Sequence, residues 1–304
     1  SGAPAPCFTS LSAWESSLSS GDKDLVTAAQ SYVVRIQGPW QNADTSVVNL
    51  SGFNTNEDYY LVIETFGQAR HNGNPRGSFY RLDPSAGGSA TLTISSDYTQ
   101  VDGLIFTGVE SVGDHAVEIL ADQVLIKNSI FYGLSSGQND GIHISSSNIN
   151  FKAYHNLFYR ISRSAVMLSG ATNTSVDLKN LTAYDIGHQD SSRYPVVGID
   201  ADNGPYTSSS FTIENSFVHS FFQVKGFELT SNDGNSPTVV AFRNNLSYDN
   251  SVSGPCSTGC LGHVYPRDRQ LASDPGGNNI FFTSLEYGTE DFNLRNQAHN
   301  DALN

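Results

Sequence analysis

The chain repeats one short pattern along most of its length. Segments that begin with Gly or Ala and then alternate apolar with variable residues recur six times, as in GIHIS at 141–145. Their first apolar residues follow one another at spacings of 25, 25, 24, 33 and 28 residues. Repeats of this length with strand-like alternation predict a solenoid, in which each coil packs only on its neighbours. These residues are Leu92, Val117, Ile142, Val166, Ile199 and Phe227.

A second series of segments is interleaved with the first and carries an asparagine in mid-segment. Apolar residues alternate on both sides of that asparagine, which predicts two strands joined by a tight turn. Asparagine amides one coil apart, at ~4.8 Å, can hydrogen-bond to one another and to the turn backbone. We therefore expect an asparagine ladder formed by Asn128, Asn156, Asn180, Asn215 and Asn244.

Helical periodicity is confined to the N-terminus. Leu11, Trp14 and Leu18 recur at helical spacing behind Thr and Ser residues that can cap a first turn. We expect a helix over residues 9–20 that covers the open end of the first coil, where backbone groups would otherwise be unpaired. No linker divides the chain, so we expect one β-helix domain over 1–304, with coils at 31–250 and a C-terminal coil and tail at 251–304.

Charge and cysteine usage narrow the function classes. A formal net charge of −14 argues against a nucleic-acid partner, which requires a basic face. No segment approaches the ~18 apolar residues that a membrane span needs. The opening SGAPAPCF lacks the apolar stretch of a signal peptide, so for a secreted, extracellular or virion-surface protein we expect the export signal to have been removed. Cys256 and Cys260 in CSTGC either close a small disulfide loop or remain two thiols.

Residues 31–250, which contain both series, resemble the pectin-lyase-like superfamily. The resemblance implies an all-β fold, a single-stranded right-handed parallel β-helix with three strands per coil and an N-terminal capping helix. It places the ladder asparagines at the turn between the second and third strands. The superfamily includes pectate, chondroitin and alginate lyases, polygalacturonases, epimerases and phage tailspikes, so it implies a fold and not one activity.

Individual activities of that superfamily match the chain less well. NDGIHI at 139–144 is similar to the NTDGI stretch of polygalacturonases. The aspartate pair and the later GHG and RIK segments of those enzymes are absent, so their mechanism does not transfer. No residue set corresponds one for one to a pectate lyase calcium site.

Period two gives each first-series segment an inward and an outward face. The first apolar residue of each segment is expected inside the coil, and the residue after it outside. His143 is thus expected to face solvent on the first sheet, which in the resembled family forms the floor of the substrate groove. The predicted outward column is Thr93, Glu118, His143, Met167, Asp200 and Glu228.

Two long connections, at 185–198 and 201–210, bracket Asp200. Insertions in repeat proteins concentrate where binding occurs, so we place the functional site here. The candidate catalytic residues are His143, Arg163, Arg193, Tyr194 and Lys225. The candidate substrate-binding residues are Glu118, His188 and Tyr206, and the candidate Ca²⁺ ligands are Asp200, Asp202 and Glu228.

Three functions fit these residue types. Elimination across a uronic acid needs a neutralised carboxylate, a base and an acid; Arg163, Arg193, Lys225 or Ca²⁺ can supply the first, and Lys225, His143 or Tyr194 the other two. Hydrolysis needs two carboxyls, for which Asp200 and Glu228 are expected about one coil apart. The third function is a non-catalytic glycan-binding module of a phage tail or cell surface. The expected partner is a polysaccharide or glycan, and a monomer is favoured unless the protein is a trimeric tailspike.

Overall fold

The protein is built from three parallel sheets that run side by side along the chain's repeats. The structure, a computed structural model, describes residues 7–84, 90–108, 115–134, 139–187, 195–200, 204–220, 226–229, 237–249, 264–265 and 280–283. Within these residues each sheet has eight strands, and successive strands along the chain enter the three sheets in turn. The prediction of an all-β parallel solenoid with a helix at its N-terminal end is confirmed.

The strands are numbered in chain order and grouped by sheet. The first sheet contains β2 Val48–Leu50, β5 Ala90–Ile94, β8 His115–Ile119, β11 Asp140–Ile144, β14 Val166–Leu168, β17 Val197–Ile199, β20 Phe227–Glu228 and β23 Val264–Tyr265. The second contains β1 Tyr32–Ile36, β3 Leu61–Thr65, β6 Thr99–Asp102, β9 Val124–Lys127, β12 Asn150–Tyr154, β15 Ser175–Lys179, β18 Ser210–Glu214 and β21 Thr238–Arg243. The third contains β4 Arg81–Leu82, β7 Ile105–Phe106, β10 Ile130–Tyr132, β13 Leu157–Ile161, β16 Thr182–Ile186, β19 Phe217–Ser220, β22 Leu246–Asp249 and β24 Ile280–Thr283.

Short helices cover the N-terminal end of the solenoid. Helix α1 spans Leu11–Ser16 and is shorter than the predicted 9–20, and a second helix, α2, spans Leu25–Ala28. The side chain of Ser10 caps α1 by accepting a hydrogen bond from the Ala13 amide at 3.0 Å, which satisfies one of the free N–H groups of the first turn. Gly67–Ala69 form a 3₁₀ turn. No helix among the described residues is both long and apolar enough to cross a membrane.

The inward faces of the coils form one continuous apolar core over the described residues from Leu11 to Phe242. The six inward residues predicted from the repeat are all buried. Elsewhere in the core, aromatic rings stack from coil to coil. In the third sheet Phe106, Phe131 and Phe158 stack at 4.8 and 4.6 Å between ring centroids. Stacking of like residues follows from the solenoid itself, because each strand pairs in register with the equivalent strand of the next coil.

The turn between the second and third sheets contains a column of residues in the left-handed conformation. Asparagine tolerates positive φ better than most residues, and glycine adopts it freely, which explains the composition of this column. The predicted ladder is wrong at Asn156, because His155 occupies the left-handed position in that coil and Asn156 lies one residue further on, buried in the turn. The column consists of Gly103, Asn128, His155, Asn180, Asn215 and Asn244.

The first sheet follows the predicted register up to the fifth coil and then departs from it. Glu118, His143 and Met167 pair in sequence as expected. The residue that pairs with Met167 in the next strand is Gly198, and Gly198 in turn pairs with Glu228. The apolar run at 196–197 moves the start of β17 two residues toward the N-terminus, so Asp200 follows the strand and does not stack on Glu228.

Candidate functional site

Two stacked histidines stand on the first sheet in neighbouring coils. His115 begins β8 and His143 lies near the end of β11, and their ring centroids are 4.0 Å apart with the planes inclined by 28°. The Nδ1 atom of His143 is buried and has no hydrogen-bond partner among the described residues. Nδ1 of His115 is likewise buried and has no partner of regular hydrogen-bond geometry in the described part of the chain.

A buried ion pair lies against this histidine pair. Asp140, the first residue of β11, is completely buried, and its Oδ2 atom is 3.3 Å from Nδ1 of His115. Arg163 donates from Nε to Oδ1 of Asp140 at 2.7 Å and from Nη2 to Oδ2. This two-pronged contact fixes the carboxylate, because the planar guanidinium fork matches the carboxylate geometry. His115, Asp140, His143 and Arg163 together are called the histidine cluster below.

An irregular strand start places the cluster on the outward side. In β11 the adjacent amides of Gly141 and Ile142 both donate to the next coil, to the carbonyls of Ser164 and Ala165. A regular parallel strand would send adjacent amides to opposite neighbours, so the alternation breaks here as in a β-bulge. Gly141 is required at this point, since a Cβ atom there would lie 2.7 Å from the Ala165 carbonyl oxygen.

The local environment lowers the pKa values of both His143 and Asp140 in the cluster. Burial lowers the pKa of His143 to about 4, and the neighbouring His115 adds to this effect. Burial alone would raise the pKa of Asp140, but the hydrogen bonds from Arg163 and the His115 imidazole hold that pKa below its usual range. At neutral pH the cluster therefore contains a carboxylate and, at His143, an uncharged imidazole that can accept a proton.

The cluster is better built for proton transfer than for a metal ion. Nitrogen and oxygen atoms of His115, Asp140 and His143 all lie within 4.8 Å of one another, which is close enough for shared ligation. Both oxygens of Asp140, however, already accept hydrogen bonds from Arg163. The two imidazole rings lie one over the other, so their lone pairs run side by side, whereas ligands of one ion must converge on it.

The sequence-predicted site residues fall into three groups. His143 and Arg163 meet in the cluster, and Glu118 lies one coil before His143, where its Oε1 accepts a hydrogen bond from the Ser145 hydroxyl at 3.3 Å. Of Glu228 only the backbone is described, in β20. The candidates His188, Arg193, Tyr194, Asp202 and Lys225 lie outside the described residues, as do Cys256 and Cys260.

Three side chains expected in the groove are buried. Met167 is 1 % exposed and Asp200 is 5 % exposed, so neither is open to a ligand as a groove floor requires. Tyr206 is completely buried, and its hydroxyl donates to the carbonyl of Asp200, so it supports the turn after β17 and cannot stack on a sugar. Asp200 was misplaced because the pattern GIDAD fits two registers that differ by two residues. Tyr206 was misplaced because it lies in a long connection between strands, where side chains are usually exposed.

Sequence reasoning missed His115 and Asp140. Aligning HAVEI with DGIHI through Val117 and Ile142 puts these two residues at the same position of neighbouring coils, and they do pair in the sheet. Strict alternation would place both inside the coil with Val117, where a charged group is excluded. Only the irregular start of the strand, which depends on contacts with the next coil, shows that they face His143.

Comparison with known proteins yields no relative for this chain. No protein-family model, no curated protein and no solved structure matches it.

Proposed function

We propose that the protein is a secreted or surface-exposed carbohydrate-active enzyme that cleaves a uronic-acid-containing polysaccharide by β-elimination at the histidine cluster. The observation that supports this proposal is the stacked histidine pair, in which one imidazole is uncharged and the other is held by a buried carboxylate. Elimination needs a base and an acid at adjacent carbons of one sugar. Two imidazoles whose ring centroids are 4.0 Å apart meet that requirement.

The proposed step balances as follows. Nε2 of His143 takes the proton from the carbon next to the carboxylate, and the electrons of that C–H bond form a carbon–carbon double bond. The neighbouring carbon–oxygen bond breaks with both electrons going to the glycosidic oxygen, which takes a proton from Nε2 of His115. His115 enters this step as imidazolium, because its other proton, on Nδ1, faces Asp140. Asp140 orients His115 through Nδ1, and Arg163 acts as a positioning residue for Asp140.

Hydrolysis fits the residues of this site less well than elimination does. A glycosidase of the common type uses two carboxyl groups that both reach the sugar. Asp140 is completely buried and tied to Arg163, and Asp200 does not stack on Glu228. The substrate carboxylate still needs a positive group, for which Arg193, Lys225 or Ca²⁺ at Asp202 and Glu228 remain predictions. Burial of Asp200 removes it from the proposed Ca²⁺ ligands.

The test is a panel of anionic and neutral polysaccharides assayed for the ultraviolet absorbance of unsaturated uronate and for reducing ends. His143→Gln and His115→Gln are each expected to lower turnover by ~10²-fold or more, because each removes a proton-transfer group. His155→Asn is the matched control, since His155 is exposed in a turn outside the cluster and asparagine suits its left-handed backbone. Loss of turnover on chelation, restored by Ca²⁺, would assign the metal.

The pH profile separates the proposed base from a solvent-exposed histidine. His143 must be uncharged to accept a proton, so kcat/KM should fall with acidification near pH 4, and not near the ~6.5 of an ordinary histidine. Reducing ends without ultraviolet absorbance would indicate a hydrolase. If nothing in the panel is cleaved while glycans still bind, the protein is a binding module and the enzyme proposal is wrong.

A further inference from the structure

A column of aromatic side chains lines the outward face of the third sheet, away from the histidine cluster. Tyr132, Tyr159, Tyr184 and His219 occupy the same position in four consecutive coils. Their ring centroids are 5.5, 5.6 and 4.8 Å apart, and adjacent planes are inclined by 18° or less. Each ring face is thus covered by the next ring in this column, called the tyrosine column below. The three tyrosines are half-buried and His219 is buried, so ring edges are open to solvent only at the tyrosines.

A cleft of about 580 Å³ runs beside the tyrosine column. The segment 74–76 forms one wall, and the apolar side chains of Ile130 and Leu157 lie at its base. Apolar surface with a row of hydroxyl groups along it suits a ligand that is itself amphipathic and polar at its edges. The row repeats once per coil, so a polymer of repeating units can make the same contact in each coil.

Arg76 places a positive charge at this cleft, although the whole chain has a net charge of −14. Arg76 is exposed, donates from Nη2 to the Tyr132 hydroxyl at 3.1 Å, and pairs with no carboxylate among the described residues. Arg160 lies 6.0 Å from the Tyr159 ring centroid, but its Nε atom is 3.5 Å from Oδ2 of Asp185, so its charge is already paired. The Arg76 hydrogen bond lowers the pKa of Tyr132.

We propose that this cleft is a second glycan-binding site, which holds a linear polysaccharide carrying carboxylate or sulfate groups along the solenoid axis. Arg76 pairs with an acidic group of the ligand, as a guanidinium fork does with carboxylates and sulfates. The tyrosine hydroxyls bind the sugar hydroxyls in successive coils. The Tyr159 hydroxyl is available for this, since it forms no hydrogen bond within the described part of the chain. The site does not depend on the proposed β-elimination.

The experiment measures binding of polygalacturonate, with its fully methyl-esterified form as the uncharged probe, in a His143→Gln background that prevents cleavage. Arg76→Gln is expected to raise the Kd for polygalacturonate about tenfold, the effect of losing one charge-assisted hydrogen bond. Tyr159→Phe keeps the ring stack and removes one hydroxyl, so it should weaken binding of both probes by a smaller factor. Arg35→Gln is the matched control, because Arg35 is 48 % exposed and lies beside the Phe66 ring on the second sheet.

Each outcome decides the proposal. Equal weakening by Arg76→Gln and Arg35→Gln would mean a general charge effect, and unchanged binding in both Arg76→Gln and Tyr159→Phe would place the glycan elsewhere; either result overturns it. Duplex DNA that binds as tightly as polygalacturonate, with the same sensitivity to Arg76→Gln, would show an unspecific anion site and also overturns it. Failure of the elimination assay leaves these binding results unaffected, so the two proposals are judged separately.

Discussion

At the scale of single residues, Asp140 shows how a buried charge is held in this fold. Its carboxylate is completely buried and is neutralised by Arg163, whose side chain is only 12 % exposed. A buried pair of this kind contributes little net stability, because desolvation offsets the attraction, but loss of one partner leaves the other charge unpaired. The pair therefore positions His115 at little net cost, which suits a functional role.

Replacing one partner of the Asp140–Arg163 ion pair should lower the stability of the fold more than replacing both. Asp140→Asn removes the buried carboxylate that accepts two hydrogen bonds from the Arg163 guanidinium, so we expect a loss of about 3–5 kcal/mol in the free energy of unfolding. The double variant Asp140→Asn, Arg163→Met also removes the guanidinium charge and should recover most of the loss. Urea denaturation of the two variants and the parent measures both changes. A double variant no more stable than Asp140→Asn alone would show that the ion pair does not account for the loss.

His143 predicts a pH dependence of stability. Its pKa is about 4 in the folded chain and ~6.5 in the unfolded chain. Between these values the unfolded chain binds a proton that the folded chain does not, so the free energy of unfolding falls as pH drops through this window, by up to about 3 kcal/mol. His143→Gln should flatten this slope, as measured by urea denaturation at several pH values from 4 to 7. An unchanged slope would mean that His143 is not buried as described.

The sequence predicted which residues are buried more successfully than it predicted which residues form the functional site. The inward series from Leu92 to Phe227 is buried throughout, because a one-residue slip would send every apolar side chain into solvent. A shift of two residues leaves the same side chains inside the coil. The sequence therefore could not fix the position of Asp200 along the strand. His143 was placed on the correct face, but its burial comes from His115 in another coil, which no local pattern reveals.

At the scale of the structural element, the turn between the second and third sheets uses asparagine in two different ways. Asn128 and its equivalents lie in the left-handed position and contact the neighbouring coil through exposed or half-buried amides. Asn156 and Asn245 lie one residue further on and are buried. Each accepts a hydrogen bond from the main-chain amide of the preceding coil and donates to a carbonyl there. The sequence shows an asparagine in mid-segment and does not distinguish these roles, which differ by one residue.

The buried asparagines should matter more than those in the left-handed position. Asn156→Ala removes the acceptor of the Ser129 amide and a donor to the Ile126 carbonyl in a buried turn, so we expect a loss of about 2–4 kcal/mol in stability. Asn180→Gly, which keeps a residue suited to positive φ at a half-buried position, should cost less than 1 kcal/mol. Thermal and urea unfolding of both variants compare the costs. Equal losses would show that both asparagines serve the same ladder.

At the scale of the whole molecule, the solenoid was predicted from its repeat and its ends were not. Coils specify one another by local register, so spacing and alternation were sufficient to predict parallel sheets. The N-terminal end depends on a contact between segments far apart in sequence. Asp44 is buried there, and its Oδ2 accepts hydrogen bonds from the Leu11 amide at 2.9 Å and from the Tyr80 hydroxyl at 2.8 Å. This carboxylate joins the first residue of α1 to the solenoid.

The last prediction concerns this cap. Asp44→Ala removes the acceptor of the Leu11 amide and of the Tyr80 hydroxyl, so α1 should detach from the end of the solenoid, where it packs on β2. The exposed strand edges and the freed Leu11 and Trp14 would then favour association between copies, because an uncovered sheet edge pairs readily with another chain. We expect sedimentation to become concentration-dependent while the far-ultraviolet spectrum keeps its β signal. Asp58→Ala removes an exposed carboxylate in the same part of the chain and should change neither property. If Asp44→Ala sediments as the parent does at every concentration, Asp44 does not hold the cap in place.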